Sequence, residues 1–286
     1  MIPSIPSSRA FRISYAVYVG VFFVYLLAPL AVVGAFAFND SMFPSMPWKG
    51  FTLDWFASPV EPRLGLFHDS SLTDSVAVSF TVALAVTLLA VAVGTTNAFL
   101  FEREKFPFRN LAYILMLLPL VVPGVILGIS ILVLSNSFVN AVEDGIGWEL
   151  ESLRPGLLLV VLGQFSFIAT VATLVISARL RKFDLTLEEA ALNLGASRLA
   201  AVFTVTLPYL RPAILGAAIV AFLMSFENFN TTLMLVGSDA PLTIAMYDRL
   251  KEGSTPVINA LSLMLMAGSA ALALISIFVG RHREQQ

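Results

Sequence analysis

Six apolar runs, nearly free of charge, leave this 286-residue chain few ways to fold. They lie at about Tyr15–Phe38, Thr73–Leu100, Asn110–Leu134, Gly156–Ala178, Pro212–Val236 and Val257–Gly280. Each reaches the roughly 20 residues that a helix needs to cross a hydrocarbon layer of about 30 Å. The expected fold is therefore all-α, a polytopic membrane protein with six transmembrane helices. Composition agrees: 58% of residues are hydrophobic, 13% are charged and the mean hydropathy is +0.87, too apolar for a soluble globular domain. The expected division is a tail over 1–14, a membrane domain over 15–280 and a second tail over 281–286, with a polar loop at 179–211. The first run is not read as a signal peptide, because it is long and no small-residue cleavage site follows it.

Charge gives an orientation. Six spans put both termini on one side, and twelve Lys and Arg fall there against five on the other. The positive-inside rule then places both termini and the 179–211 loop in the cytoplasm. The outer loops carry most of the acids, among them Glu143, Asp144, Glu149 and Glu151. Nothing points to nucleic acid. Cysteine is absent, which excludes disulfides, thiolate metal sites and a Cys nucleophile. There is no phosphate-binding G-x-x-x-x-G-K-[ST] loop, no metal-ligand spacing and no nucleophile elbow. No catalytic residue, metal site or bound cofactor is expected on this chain. His68 and His282 lie outside the spans and read as solvated loop residues.

The polar loop has a structure of its own. Thr186 and Glu189 read as a T-x-x-E capping box. Leu187, Ala190, Ala191 and Leu194 recur at helical spacing. Gly195 suits the positive φ of a helix C-cap. Ser197 is positioned to cap a second short helix with Leu199, Val202 and Phe203 on its apolar side, and Pro208 and Pro212 are expected to end the segment. The apolar faces sit beside Arg179, Arg181, Lys182 and Arg198. Such a patch is either a docking site or an amphipathic connector lying on lipid headgroups.

In the fifth span, Glu227 is the acidic residue placed well inside an apolar run. A carboxylate there should face a cavity, a water path or a partner. Asn230 and Thr231 follow at i+3 and i+4, which on a continuous helix puts all three on one face. With Asn228 they offer one negative charge and several hydrogen-bonding groups, suited to an ammonium or amide-bearing solute, and Phe226 and Phe229 add a cation–π surface. The competing reading has Glu227 bonded to a partner subunit in the membrane and the Asn and Thr side chains joining helices. Gln164 and Ser166 face the same cavity or pair helices. Pro119 and Pro123 are expected to kink the third span. Trp48 and Trp55, in the loop after the first span, read as interfacial anchors.

Glu189-Ala190-Ala191, Gly195 and Val205-x-Leu207-Pro208 resemble the EAA-x3-G-x9-I-x-LP loop of ATP-binding-cassette importer permeases, with Val205 where Ile is usual. Gly50–Phe56, Ala240–Tyr247 and Thr255–Ser262 are similar to segments of the spermidine/putrescine branch. Ser225-Phe226-Glu227-Asn228 departs from the Ser-Leu-Asp-Asp-like run of that branch by one acid. The resemblance implies the type I importer permease fold in a bacterial inner membrane, and an ATPase grip at Glu188, Glu189, Ala190, Ala191, Gly195, Leu207 and Pro208. It implies a solute path at Glu227, Asn228, Asn230 and Thr231, worked by alternating access. It implies as partners an ATPase dimer carrying ATP and Mg, a second related permease and a periplasmic solute-binding protein. Polyamine is the first solute expected; the branch also takes iron, opines and phosphonates. The other function classes are a stand-alone secondary transporter or channel using Glu227, and a membrane scaffold.

Overall fold

The computed structural model describes residues 8–253 and 255–284, with side chains as far as residue 271. Among the described residues twelve α-helices follow in order: α1 Arg9–Phe36, α2 Asp54–Ala57, α3 Ser70–Arg103, α4 Arg109–Val121, α5 Gly124–Ile146, α6 Leu157–Leu180, α7 Thr186–Asn193, α8 Arg198–Ala201, α9 Leu207–Phe226, α10 Thr232–Leu235, α11 Leu242–Glu252 and α12 Pro256–Glu284. Among the described residues, five stretches are long and apolar enough to cross a membrane: α1, α3, α5, α6 and the run Arg198–Phe226. The sixth expected span lies on α12, and its side chains beyond residue 271 fall outside the described part, as do those of Arg281, His282 and Arg283.

The third expected span is two helices rather than one kinked helix. Pro119 lies inside α4, but the chain leaves the helix at Val122, whose ψ is 128°, and α5 starts after Pro123. A proline disfavours the helical conformation of the residue before it and donates no N–H itself, so Val122-Pro123 breaks the run. The fifth expected span also breaks: α9 stops at Phe226, and α10 begins only at Thr232.

The chain divides into two compact units. One is built from residues up to Thr73 and from Met246 onward. Here α1 packs on α12, with Gly34 opposite Leu263. A small core of Ala37, Trp55 and Ala260 sits with Phe38, Phe56 and Leu263 around it. Trp55 is not the interfacial anchor expected of it. It is buried, and its indole N–H donates to the Asn39 carbonyl at 2.9 Å. Asn39 in turn folds the loop: its Oδ1 accepts from Lys49 N–H at 2.9 Å and its Nδ2 donates to the Ser45 carbonyl at 3.2 Å. Trp48 remains exposed, as does His68. Asp69 accepts from the Leu72 N–H at the start of α3 and takes both arms of the Arg249 guanidinium, at 2.6 and 2.9 Å.

The other unit, Asp74–Ala245, holds the larger core. Its centre is α6, buried along most of its length and packed by α4, α5, α9 and α10. Val82, Val86 and Ala90 of α3 join Ile168, Ala172 and Ile176 of α6 and Ala217 and Ala221 of α9. Small residues at these crossings let backbones approach, which is how helices gain packing where lipid offers no hydrophobic drive.

Candidate functional site

The polar loop folds into a short hairpin of helices rooted in the second unit. The expected capping box is absent. Thr186 is already helical, and the Asp184 carboxylate accepts from its N–H at 3.0 Å. That backbone hydrogen bond, with a second from the Thr186 hydroxyl, holds the Asp184 carboxyl below its ordinary range. The aspartate two residues upstream won the capping role because Thr186 lies inside the helix, where its hydroxyl cannot reach the N3 amide. Gly195 takes φ +93° as expected. Its N–H donates to Leu192 and that of Ala196 to Ala191, closing α7. Ser197 caps α8 as expected, its hydroxyl accepting from the Ala200 N–H at 3.2 Å, a bond worth about 1 kcal/mol.

The prolines do not end the segment. A π-turn over Val202–Thr206 joins α8 to α9, with the Leu207 N–H reaching back to the Val202 carbonyl. One extra residue in that turn lets the helix pass Pro208, which has no N–H to offer, and Pro212 follows inside α9. The hairpin tip is apolar and open. Leu194 is 90% exposed, Leu199 71% and Phe203 65%, and Leu187 and Leu192 stand beside them. Glu189 and Ala190 are exposed, while Ala191, Leu207 and Pro208 are half-buried.

Glu188 points the other way. Its side chain is 16% exposed and forms a two-pronged pair with Arg103 at the end of α3, at 2.8 and 3.2 Å. The Thr206 hydroxyl donates to it as well. Burial alone raises this carboxyl's pKa, yet the Arg103 and Thr206 hydrogen bonds hold it below its ordinary value. The Arg103 guanidinium lies over the rings of Phe99 and Phe183, 5.9 and 5.4 Å from their centroids. Arg181 pairs with Glu102 at 2.8 Å. Arg179 lies 4.4 Å from the Tyr209 ring and donates to its carbonyl. Sequence reasoning missed Arg103, which no local spacing links to the loop, and Thr206, which lies within the loop but meets Glu188 only once the hairpin has folded.

The second region is the break after α9. The expected shared face of Glu227, Asn230 and Thr231 does not form, because the helix ends before the i+3 and i+4 positions are reached. Glu227 is the C-terminal cap of α9 and is exposed, as is Asn230. Asn228 and Thr231 are tied inward. The Asn228 carboxamide oxygen accepts from the Thr232 N–H and hydroxyl at 3.2 and 3.0 Å. The Thr231 hydroxyl donates to the Gly124 carbonyl at 3.3 Å. Gln164, 1% exposed, donates to the Thr232 hydroxyl at 2.8 Å and accepts from the Ser225 hydroxyl. Ser225, Gln164, Thr232 and Asn228 thus form one satisfied chain across α9, α6 and α10, which fixes the unwound segment in place. Ser166 is spent locally on the Gly163 carbonyl. Gly163 lets α10 press close, for a Cβ there would meet the Leu235 side chain. Phe226 stacks on Phe222 with ring centroids 5.8 Å apart. No group of three or more acidic or His side chains able to hold a metal occurs among the described residues.

Long apolar helices, one of them unwound at a polar break, and a pinned hairpin with an open apolar tip describe a multi-pass helical membrane protein. Residues 87–285 match the family of binding-protein-dependent transport system inner membrane components. The putrescine transport system permease protein PotI of Escherichia coli K12 is 30% identical over 266 residues, 92% of this chain and 89% of that protein. The spermidine/putrescine transport system permease protein PotC of Haemophilus influenzae is 25% identical over 262 residues, 91% of this chain and 94% of that one. A chain from a crystal structure of a bacterial ABC transporter involved in the import of the acidic polysaccharide alginate shares the fold. It gives a TM-score of 0.67 over 95% of this chain and 98% of that one, at 14% identity.

The chain belongs to the binding-protein-dependent transport family and is a membrane permease subunit of an ATP-binding-cassette importer. It is not an enzyme, and the ATPase is a separate chain. As a member of that family it works with an ATPase and a substrate-binding protein, as a multi-pass protein of the inner membrane.

Proposed function

We propose that this permease imports a polyamine or a closely related small organic cation, paired with a second, related permease. Glu227 carries the reading of the solute. It caps the C-terminal end of α9, where aligned peptide dipoles already place partial negative charge. A carboxylate added to that end disfavours itself and favours a cation, so one acid and a helix terminus together supply attraction for an ammonium group. Asn230, three residues on in the same unwound segment, is also exposed and adds hydrogen-bonding capacity. The named functions of the PotI and PotC relatives, putrescine and spermidine transport, point the same way.

The hairpin tip is the seat of the ATPase, with Leu187, Leu194, Leu199 and Phe203 as the buried centre of that interface and Glu189 at its edge. Gly195 sets the angle between its two helices, and Leu207 and Pro208 carry the motion into α9. ATP and Mg bind the ATPase dimer, closure of that dimer moves the hairpin, and the membrane helices alternate between outward and inward access. Both termini and the hairpin lie in the cytoplasm, in keeping with the Lys and Arg distribution. The binding protein delivers solute at the opposite face.

The test is reconstitution of the whole transporter in proteoliposomes, with ATP hydrolysis read against binding protein loaded with putrescine, spermidine, an opine, a phosphonate or ferric iron. Stimulation by the two polyamines alone is expected. Stimulation by the opine or phosphonate and not by either polyamine defeats the solute reading.

A further inference from the structure

We infer that Glu188 is a positioning residue, a latch that fastens the coupling hairpin to two membrane helices at once. The inference rests on the hairpin being the ATPase seat. Within α7, Glu188 and Glu189 are neighbours with opposite fates: Glu189 faces out and Glu188 is turned in. The Glu188 carboxylate uses one oxygen for each prong of Arg103, at the last residue of α3. It also accepts from the buried Thr206 hydroxyl, the last residue of the π-turn that leads into α9.

The geometry suits transmission. A short helix held only by its two loops would swing when pushed at its tip. A planar guanidinium that forks onto a carboxylate fixes direction as well as distance. Arg103 itself lies over the rings of Phe99 and Phe183, cation–π contacts that restrict its own swing. Arg181 with Glu102 adds a second strut between the end of α6 and α3. A push on Leu194 or Leu199 is therefore delivered to α3 through Arg103 and to α9 through Thr206. Without the latch, the ATPase can still seat on the apolar tip, but its motion dissipates in the hairpin.

The experiment uses the complete transporter, purified through a tag on this chain. Glu188→Gln is expected to keep the ATPase bound at the wild-type ratio. Its solute-stimulated ATP hydrolysis is expected to fall about tenfold, within the usual span of coupling between distant sites. Arg103→Glu should do the same, and Arg103→Glu combined with Glu188→Arg should recover much of the stimulation. Full stimulation in Glu188→Gln overturns the latch. If the single variants fail to accumulate, the double variant decides: accumulation regained without stimulation shows a merely structural pair and also overturns it. A wild-type chain that brings down no ATPase defeats the docking reading instead, so the two failures are distinguishable.

Discussion

Gly195→Leu is expected to abolish ATP-coupled uptake while the chain still inserts in the membrane. The turn holds Gly195 at φ +93°, where an L-residue with a Cβ is strained by about 1–2 kcal/mol. Beyond Gly195 and its two chain neighbours, no atom lies within 4 Å of the position a Cβ would take, so the effect comes from the backbone and not from a clash. The hairpin relieves that strain by turning α8 relative to α7. The apolar tip, made of Leu187 and Leu194 from one side and Leu199 and Phe203 from the other, then no longer presents a single surface. Gly195→Asn should retain part of the activity, since asparagine visits positive φ more readily than leucine. Uptake into proteoliposomes, with membrane-fraction abundance as the control, reads both variants. Wild-type uptake by Gly195→Leu sinks the assignment of this turn to coupling.

Glu227→Gln is expected to raise the polyamine concentration for half-maximal stimulation about tenfold, the scale of one lost charge-assisted contact of roughly 1.5–3 kcal/mol. The substitution keeps size and hydrogen-bonding reach, and Glu227 has no ion-pair partner among the described residues. The fold should therefore be indifferent, and the ATPase should remain bound. Phe226 and the Ser225–Gln164–Thr232–Asn228 chain keep the local backbone where it is. Unchanged uptake together with unchanged stimulated hydrolysis removes the carboxylate from the solute path.

What could be read in the residues follows physical scale. Composition over about 20 residues locates apolar helices, and it located α1, α3 and α6 well. The same averaging cannot see where a chain stops hydrogen bonding to itself, so the break at Val122-Pro123 and the unwinding after Phe226 passed as continuous spans. The first break lies in sequence as apolar as the helices around it, and the polar residues of the second, Glu227 to Thr231, read as one face of a continuous helix rather than as its end. Single-residue backbone demands were legible: Gly195 and Ser197 act through their own φ or hydroxyl. Choices between close neighbours were not, as when Asp184 rather than the T-x-x-E pair satisfied the start of α7. Trp55 looked like an anchor because its burial depends on Asn39, sixteen residues away. The Glu188 latch was least visible of all, because Arg103 lies 85 residues upstream and only the packing of α3 against the loop brings them together.

The central claim is that the hairpin between α6 and α9 seats a separate ATPase. Its most direct test is purification of the tagged chain, expressed from its native operon, in mild detergent, with the stoichiometry of any ATPase subunit measured. The account predicts a stoichiometric ATPase with the wild-type chain and its loss with Gly195→Leu. A wild-type chain that purifies without an ATPase, or a Gly195→Leu chain that retains it in full, contradicts the account.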